Sequence, residues 1–396
     1  MNIKELFLNH QAQTTPSPYL LEVEKAEGVY IYDTNGKKYF DMISGVGVNN
    51  IGHCHPKVVE AVKSQTEKYM HVMVYGEYVQ APQSNFAKKL CALLPDTLNT
   101  TYFVNSGTEA NEGALKLAKR FTGRTQIVSC KKSYHGSTHG SLSVSGNEYK
   151  KYAFRPLLPD VLFMEFNNED DLELITEKTA CVIIEPIQGD AGIRIPSVDY
   201  IKKLRQRCDK TGALLIFDEI QSGFGRSGKL FAFEHFNVVP DILTLGKAIA
   251  GGMPMGAFVA NSNMMKTLSF DPMLGHITTF GGHPVNCAAG IATLEVLTNN
   301  NLIKNAENKG QLIEDELKHP SIIEIRRKGL FFAIQMESFE IVQKVVNTCL
   351  EKGVIVFWFL SSNDSFRIAP PLTISEEEIA ISCKLIVESI EETVNC

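Results

Sequence analysis

Three stretches of the chain carry residue types whose order could do chemistry. Lys247 directly follows the apolar run Ile242 to Leu245, within Gly246-Lys247-Ala248. A lysine desolvated at the end of a buried strand holds its proton less tightly and becomes an amine nucleophile toward aldehydes. The competing reading is a lysine that snorkels past the core to water. Asp218 closes the run that begins at Leu214, in Asp218-Glu219-Ile220-Gln221. An acid at a buried strand end is costly unless paired. A cationic ring nitrogen would pair with it and be held protonated by it, although a capping or ion-paired Asp would stand at the same place. The third stretch, Asn105-Ser106-Gly107-Thr108-Glu109-Ala110-Asn111, opens a helix. Its free N–H groups and positive dipole end suit a phosphate, and Ser106-x-x-Glu109 equally fits a plain capping box.

Those residues need a frame. Short apolar runs recur at Tyr102 to Val104, Gln126 to Cys130, Val161 to Phe166, Cys181 to Ile187, Leu214 to Ile220, Ile242 to Leu245 and Gly256 to Ala260. They read as buried strands of a mostly parallel sheet. Helical patterns lie between them; after Gly107, residues Ala110, Ala114, Leu117, Ala118 and Phe121 share one face. Repeated strand–helix units predict an α/β fold: a large domain with a mostly parallel seven-stranded sheet flanked by helices. In such sheets ligands gather at the carboxyl ends of the strands, where all three stretches fall. The chain ends read differently. Residues 28–43 resemble a hairpin turning at Thr34-Asn35-Gly36. After about residue 295 helices alternate with strands around Ile322 to Met336 and Val354 to Leu360. The expected organisation is 1–50 and 296–396 as a smaller α+β domain built from both chain ends, around a large domain at 51–295.

Bulk composition narrows the partners. The 396 residues carry a net charge of −6 and are 44% hydrophobic, so no broad cationic field suits nucleic acid or an anionic membrane. The nine cysteines, from Cys54 to Cys396, contain no C-x-x-C pair. The expectation is free thiols in a reducing compartment. The first ten residues have charges inside their apolar stretch and do not read as a secretory signal. No run reaches the ~18 apolar residues of a membrane helix. The chain is therefore read as cytoplasmic.

Two motifs point elsewhere. Gly223-Phe-Gly225-Arg-Ser-Gly228 matches the dinucleotide fingerprint, but no clean amphipathic helix follows it, and Lys247 stands where an acid should end the next strand. His53-Cys54-His55 resembles a metal cluster without further ligands at zinc-like spacing, so a structural turn and no metal is expected.

Taken together, the motifs resemble the class III (ornithine, acetylornithine and 4-aminobutyrate type) aminotransferases of pyridoxal-5′-phosphate (PLP) fold type I. The resemblance covers nearly the whole chain in order: NSGTEANEGALKLAKR (105–120), YHGST (134–138), EPIQGDAG (185–192), DEIQSGFGRSG (218–228), LTLGKAIAGG (243–252), TTFGGHP (278–284) and FRIAPPL (366–372). It implies that Lys247 carries PLP as a Schiff base and that Asp218 pairs with the pyridine nitrogen. It further implies that Ser106, Gly107 and Thr108 cradle the phosphate, with Thr279 of a neighbouring subunit adding a contact in an obligate homodimer. Tyr134 would stack on the ring with His135 beside it, and Gln221 would bond the phenolic oxygen. Arg367 would clamp the α-carboxylate of an amino or keto acid. Asp190 would hold Arg367 when no carboxylate needs it, so one pocket takes two substrates in ping-pong order: an ω-amine or amino acid donor (acetylornithine-, 4-aminobutyrate- or ornithine-like), and 2-oxoglutarate as acceptor. An aminomutase or racemase of the same fold would instead work without a keto acid.

The sequence departs from that family at three positions. Ser137 stands where these enzymes usually carry an Arg for a second carboxylate, so either the donor lacks that carboxylate or another cation replaces it. Asp190 is one carbon shorter than the usual Glu. Val46 replaces the Tyr of ornithine aminotransferases, which leans away from ornithine.

Overall fold

The computed structural model describes residues 2–394, so Cys396 lies outside the described residues; the other eight cysteines are free. The core is a seven-stranded sheet in the spatial order Thr100–Val104, Gly256–Ala260, Ile242–Leu245, Leu214–Asp218, Thr179–Ile184, Gln126–Cys130, Val161–Met164. Only Gly256–Ala260 runs antiparallel to its neighbours; the rest pair in parallel. All seven predicted runs are strands, and the central ones are buried on both faces, as continuous apolar runs require.

Three strands stop earlier than their apolar runs, the first being Val161–Met164, which ends before Glu165. Thr179–Ile184 ends before Glu185, whose carboxylate turns inward to accept from backbone N–H groups. Leu214–Asp218 ends before Glu219, which accepts from the amides of Ala232 and Phe233, the latter at 2.7 Å.

The helix Gly107–Thr122 starts at the N-cap Ser106, whose Oγ accepts from the Glu109 amide at 3.3 Å, and stops at Gly123 in the left-handed region. Glu109 reaches back to the amide of Asn105, not of Ser106, so the capping box is displaced by one residue. Ala110, Ala114, Leu117 and Ala118 are fully buried against the sheet, whereas Phe121, in the last turn, is 47% exposed and lies outside that face.

Both chain ends build two small sheets. Val23–Glu27, Tyr30–Asp33 and Lys38–Asp41 form an antiparallel meander. Its turn is fixed by the Asp33 carboxylate, which accepts from the amides of Asn35 and Lys37, both at 2.9 Å. The run predicted as one strand from Val354 splits: Val354–Ile355 pairs in parallel with Lys38–Asp41, and Phe357–Trp358 crosses into a second sheet beside Ser365–Ile368. That sheet continues through Phe331–Gln335 to Glu324–Lys328. Ser365–Ile368, which carries Arg367, was not anticipated as a strand.

The glycine-rich loop 223–228 is a junction. Arg226 is fully buried and donates to the carbonyls of Leu330 (2.8 Å) and Pro370 (2.6 Å) and to the side chain of Asn50. Only the four-residue turn Ala232–His235 follows, so no helix offers the N-terminus that a dinucleotide would need. His53 bonds Asp41 at 2.8 Å and His55 caps the helix Pro56–Lys68. No metal-holding group of three His, Cys, Asp or Glu exists among the described residues. None of their helices is long and apolar enough to cross a membrane.

Candidate active site

Adjacent parallel strands bring Asp218 opposite Thr244, three residues before Lys247. Lys247 and Asp218 both border a cavity of about 410 Å³. Lys247 has φ +47, a left-handed backbone uncommon for a side-chain-bearing residue and of the sort found at functional sites. Enclosure by protein pulls its ammonium below the usual lysine range; Asp218 opposes that shift and Arg367 adds to it.

Asp218 is held from three directions. Asn111 Nδ2 donates to Oδ2 at 2.8 Å, His135 Nδ1 meets the same oxygen at 2.7 Å, and the Ile220 amide donates to Oδ1 at 3.1 Å. Asn111 is fully buried, and its own oxygen accepts from Thr244 Oγ1 at 2.7 Å while Nδ2 also reaches the His135 carbonyl. It stood in the helix-opening stretch of the sequence without an assigned role. The signal was a polar residue on the apolar face of Gly107–Thr122. Glu185 was likewise passed over. It borders the cavity, accepts from the amides of Tyr134 (3.2 Å) and Gly189 (3.0 Å), and burial raises its carboxyl to about 7.

At the start of the helix Gly107–Thr122, Gly107 and Thr108 line the cavity. A Cβ on Gly107 would fall 2.7 Å from Ile220 Cγ2, so only glycine leaves the cradle open. Ser106 sits behind them as the N-cap. Thr108 Oγ1 joins Thr138 at 2.8 Å and Ser141 in a hydroxyl cluster.

Tyr134, His135 and Ser137 border the same space, and the Tyr134 hydroxyl meets Ser137 Oγ at 3.3 Å. Gln221 and Val46 complete that side; Val46 has φ +64, an outlier for a β-branched residue. At the far end, Arg367 Nη2 lies 3.3 Å from Asp190 Oδ1, and the guanidinium packs 4.5 Å over the Phe359 ring. Burial draws Arg367 below the usual guanidinium range, and Asp190 counteracts it. Thr279 is exposed and does not border the cavity of its own chain.

The residues present fit a phosphorylated pyridine aldehyde. There is a desolvated primary amine, a braced carboxylate, and a helix start with a glycine cradle. Two buried donor-capable nitrogens, His135 Nε2 and Gln221 Nε2, also lack a partner in the protein.

The chain is similar to known proteins over nearly its whole length. The family described as Aminotransferase class-III matches residues 11–390. The acetylornithine aminotransferase of Methanocaldococcus jannaschii is 41% identical over 371 residues, 90% of this chain and 89% of that one. Among solved structures, a transaminase from the marine bacterium Virgibacillus superposes with a TM-score of 0.93 at 26% identity, covering 99% of each chain. The ornithine aminotransferase of Toxoplasma gondii superposes with a TM-score of 0.91 at 29% identity, covering 100% of this chain and 96% of the other.

Proposed function

The chain belongs to the class-III aminotransferase family of PLP-dependent enzymes, and from that premise we propose that it moves an amino group from an ω-amine donor to 2-oxoglutarate, with Lys247 as the amine that holds the cofactor and carries the proton. The observation supporting this most is the placement of Lys247, Asp218 and Arg367 on one cavity. PLP supplies an aldehyde that condenses with primary amines and a ring that withdraws electrons from the carbon bearing the nitrogen.

The protein's own groups do the rest. Lys247 Nζ, shifted toward the neutral form, acts first as nucleophile and then as the base that takes and returns a proton. Asp218 would pair with the ring nitrogen, and its braces Asn111 and His135 keep it from turning away. The amides at Gly107 and Thr108 and the positive helix end would hold the phosphate. Gln221 Nε2 would donate to the phenolic oxygen, and Tyr134 would cover a face of the ring. Arg367 takes the α-carboxylate of 2-oxoglutarate and is covered by Asp190 when the donor occupies the site, which lets two substrates alternate.

The enzyme is also proposed to act as a homodimer. Met70, Tyr78, Val79, Phe270, Met273 and Phe280 are all exposed. His71 and Phe280, with ring centroids 5.1 Å apart, join their two segments into one apolar face. Thr279 is exposed beside Phe280 and would contact a second copy's phosphate. Sedimentation should give twice the chain mass.

The catalytic proposal is tested by mixing purified enzyme with L-glutamate alone. One 2-oxoglutarate should form per subunit, and turnover should need an amine acceptor. Turnover of a single amino acid without any keto acid would favour the aminomutase or racemase reading.

A further inference from the structure

The same cavity is informative about the donor, in a way that rests on the aminotransfer reading. Among the described residues, the only Lys or Arg bordering it are Lys247 and Arg367, both already committed. Ser137, where the resembled enzymes carry Arg, turns its hydroxyl to Tyr134. A distal substrate carboxylate would therefore be buried in this space without a free cation to pair with it.

The cavity's apolar wall is made by Val46, Ile187, Ile220, Phe357, Trp358 and Leu360. Phe357 and Trp358 stack at 4.2 Å between centroids, and Tyr19 stands edge-on to both at 6.0 and 6.1 Å, so this wall is fixed in place. The apolar face proposed to meet a second copy offers no cation of its own. Residues 69–80 and 267–283, which make that face, contain no Lys or Arg.

We infer that the amino donor is a primary amine whose far end is uncharged and apolar, seated against Trp358 and Phe357, and not an ω-amino acid with a carboxylate at that far end. The overall exchange balances. The donor's CH–NH₂ carbon loses two electrons and becomes a carbonyl, the keto carbon of 2-oxoglutarate gains them and becomes that of glutamate, and the nitrogen changes carbon. No outside oxidant is needed.

The test uses two donors of one length, pentylamine and 5-aminopentanoate, on the holoenzyme with 2-oxoglutarate. The expected kcat/KM favours pentylamine by at least about tenfold, a modest share of the cost of burying an unpaired carboxylate. Ser137→Arg should shrink or invert that ratio, and Trp358→Leu should raise KM for pentylamine more than for glutamate. Trp358 is the chain's single tryptophan, so its emission reports the seat without turnover. Pentan-1-ol should change it saturably, whereas 5-hydroxypentanoate should not. Equal or better use of 5-aminopentanoate, or an emission indifferent to pentan-1-ol, overturns the inference. Conversion of glutamate to 2-oxoglutarate on the same preparations separates the two failures. If glutamate is converted and pentylamine is not preferred, the donor assignment falls and aminotransfer stands; if glutamate is not converted, both fall.

Discussion

Arg367 meets Asp190 through one nitrogen only: Nη2 lies 3.3 Å from Oδ1, while the buried Nε finds no partner in the protein. Asp190 is meanwhile gripped by the Leu360 amide and the Ser361 hydroxyl, each at 3.2 Å. The shorter acid therefore makes a loose lock. Under the proposed switch, Asp190 keeps these hydrogen bonds when Arg367 turns to a substrate carboxylate. Asp190→Ala leaves the guanidinium unpaired whenever a donor without an α-carboxylate is bound. Steady-state kinetics should show kcat/KM for the donor falling roughly ten- to a hundredfold, with KM for 2-oxoglutarate no higher than in the wild type. Asp190→Glu, with its longer reach, should tighten the lock and raise KM for 2-oxoglutarate.

Asn111 ties Asp218, Thr244 and the His135 carbonyl into one buried network. Truncation to Ala strands an acceptor and a donor together, at about 1–3 kcal/mol each. Equilibrium dialysis of PLP against Asn111→Ala should show cofactor affinity weakened by roughly tenfold or more. Unchanged affinity would mean that Asp218 is held well enough by His135 and Ile220 alone.

Glu185 makes the cofactor-free protein sensitive to pH. Burial raises its carboxyl from 4.5 to about 7. The folded state therefore binds this proton more tightly than the unfolded state, so the contribution is full below pH 4.5 and is lost as pH rises to 7. The difference amounts to about 3 kcal/mol. Urea unfolding of the apo-protein and of Glu185→Gln across that window should show the wild type losing ground to the variant as pH rises. A pH-independent gap between the two would refute the assignment.

Arg226 holds the junction of the chain's halves from a fully buried position, bonded to two carbonyls and to Asn50. Arg226→Ala empties that volume and leaves those acceptors unmet, with an expected loss of roughly 3 kcal/mol or more in stability. Calorimetry measures it. Bound NAD on the wild type, which the glycine spacing alone would suggest, is not expected.

Much of this frame was legible in the residues. Parallel strands buried on both faces must be continuous apolar runs, so Cys181 to Ile184 and Leu214 to Phe217 declared themselves. Asp218 and Lys247 then stood out as polar groups where such runs end. The family resemblance supplied roles that periodicity alone does not. What stayed hidden depends on the third dimension. Asn111 reads as one more helix residue until His135 and Asp218, distant in sequence, fold onto it. Ser365–Ile368 is four residues long with Arg367 in its middle, so it shows no strand pattern. The break at Val356 follows from two sheets competing for one segment. The left-handed backbone at Val46 has no local signal, because a β-branched residue disfavours it.

The central claim is that Lys247 bears the cofactor. The direct measurement is borohydride reduction of the purified holoenzyme, proteolysis, and mass spectrometry of the peptides. The account predicts one pyridoxyl adduct, on Lys247, absent from Lys247→Ala. An adduct on any other lysine, or none, would contradict it.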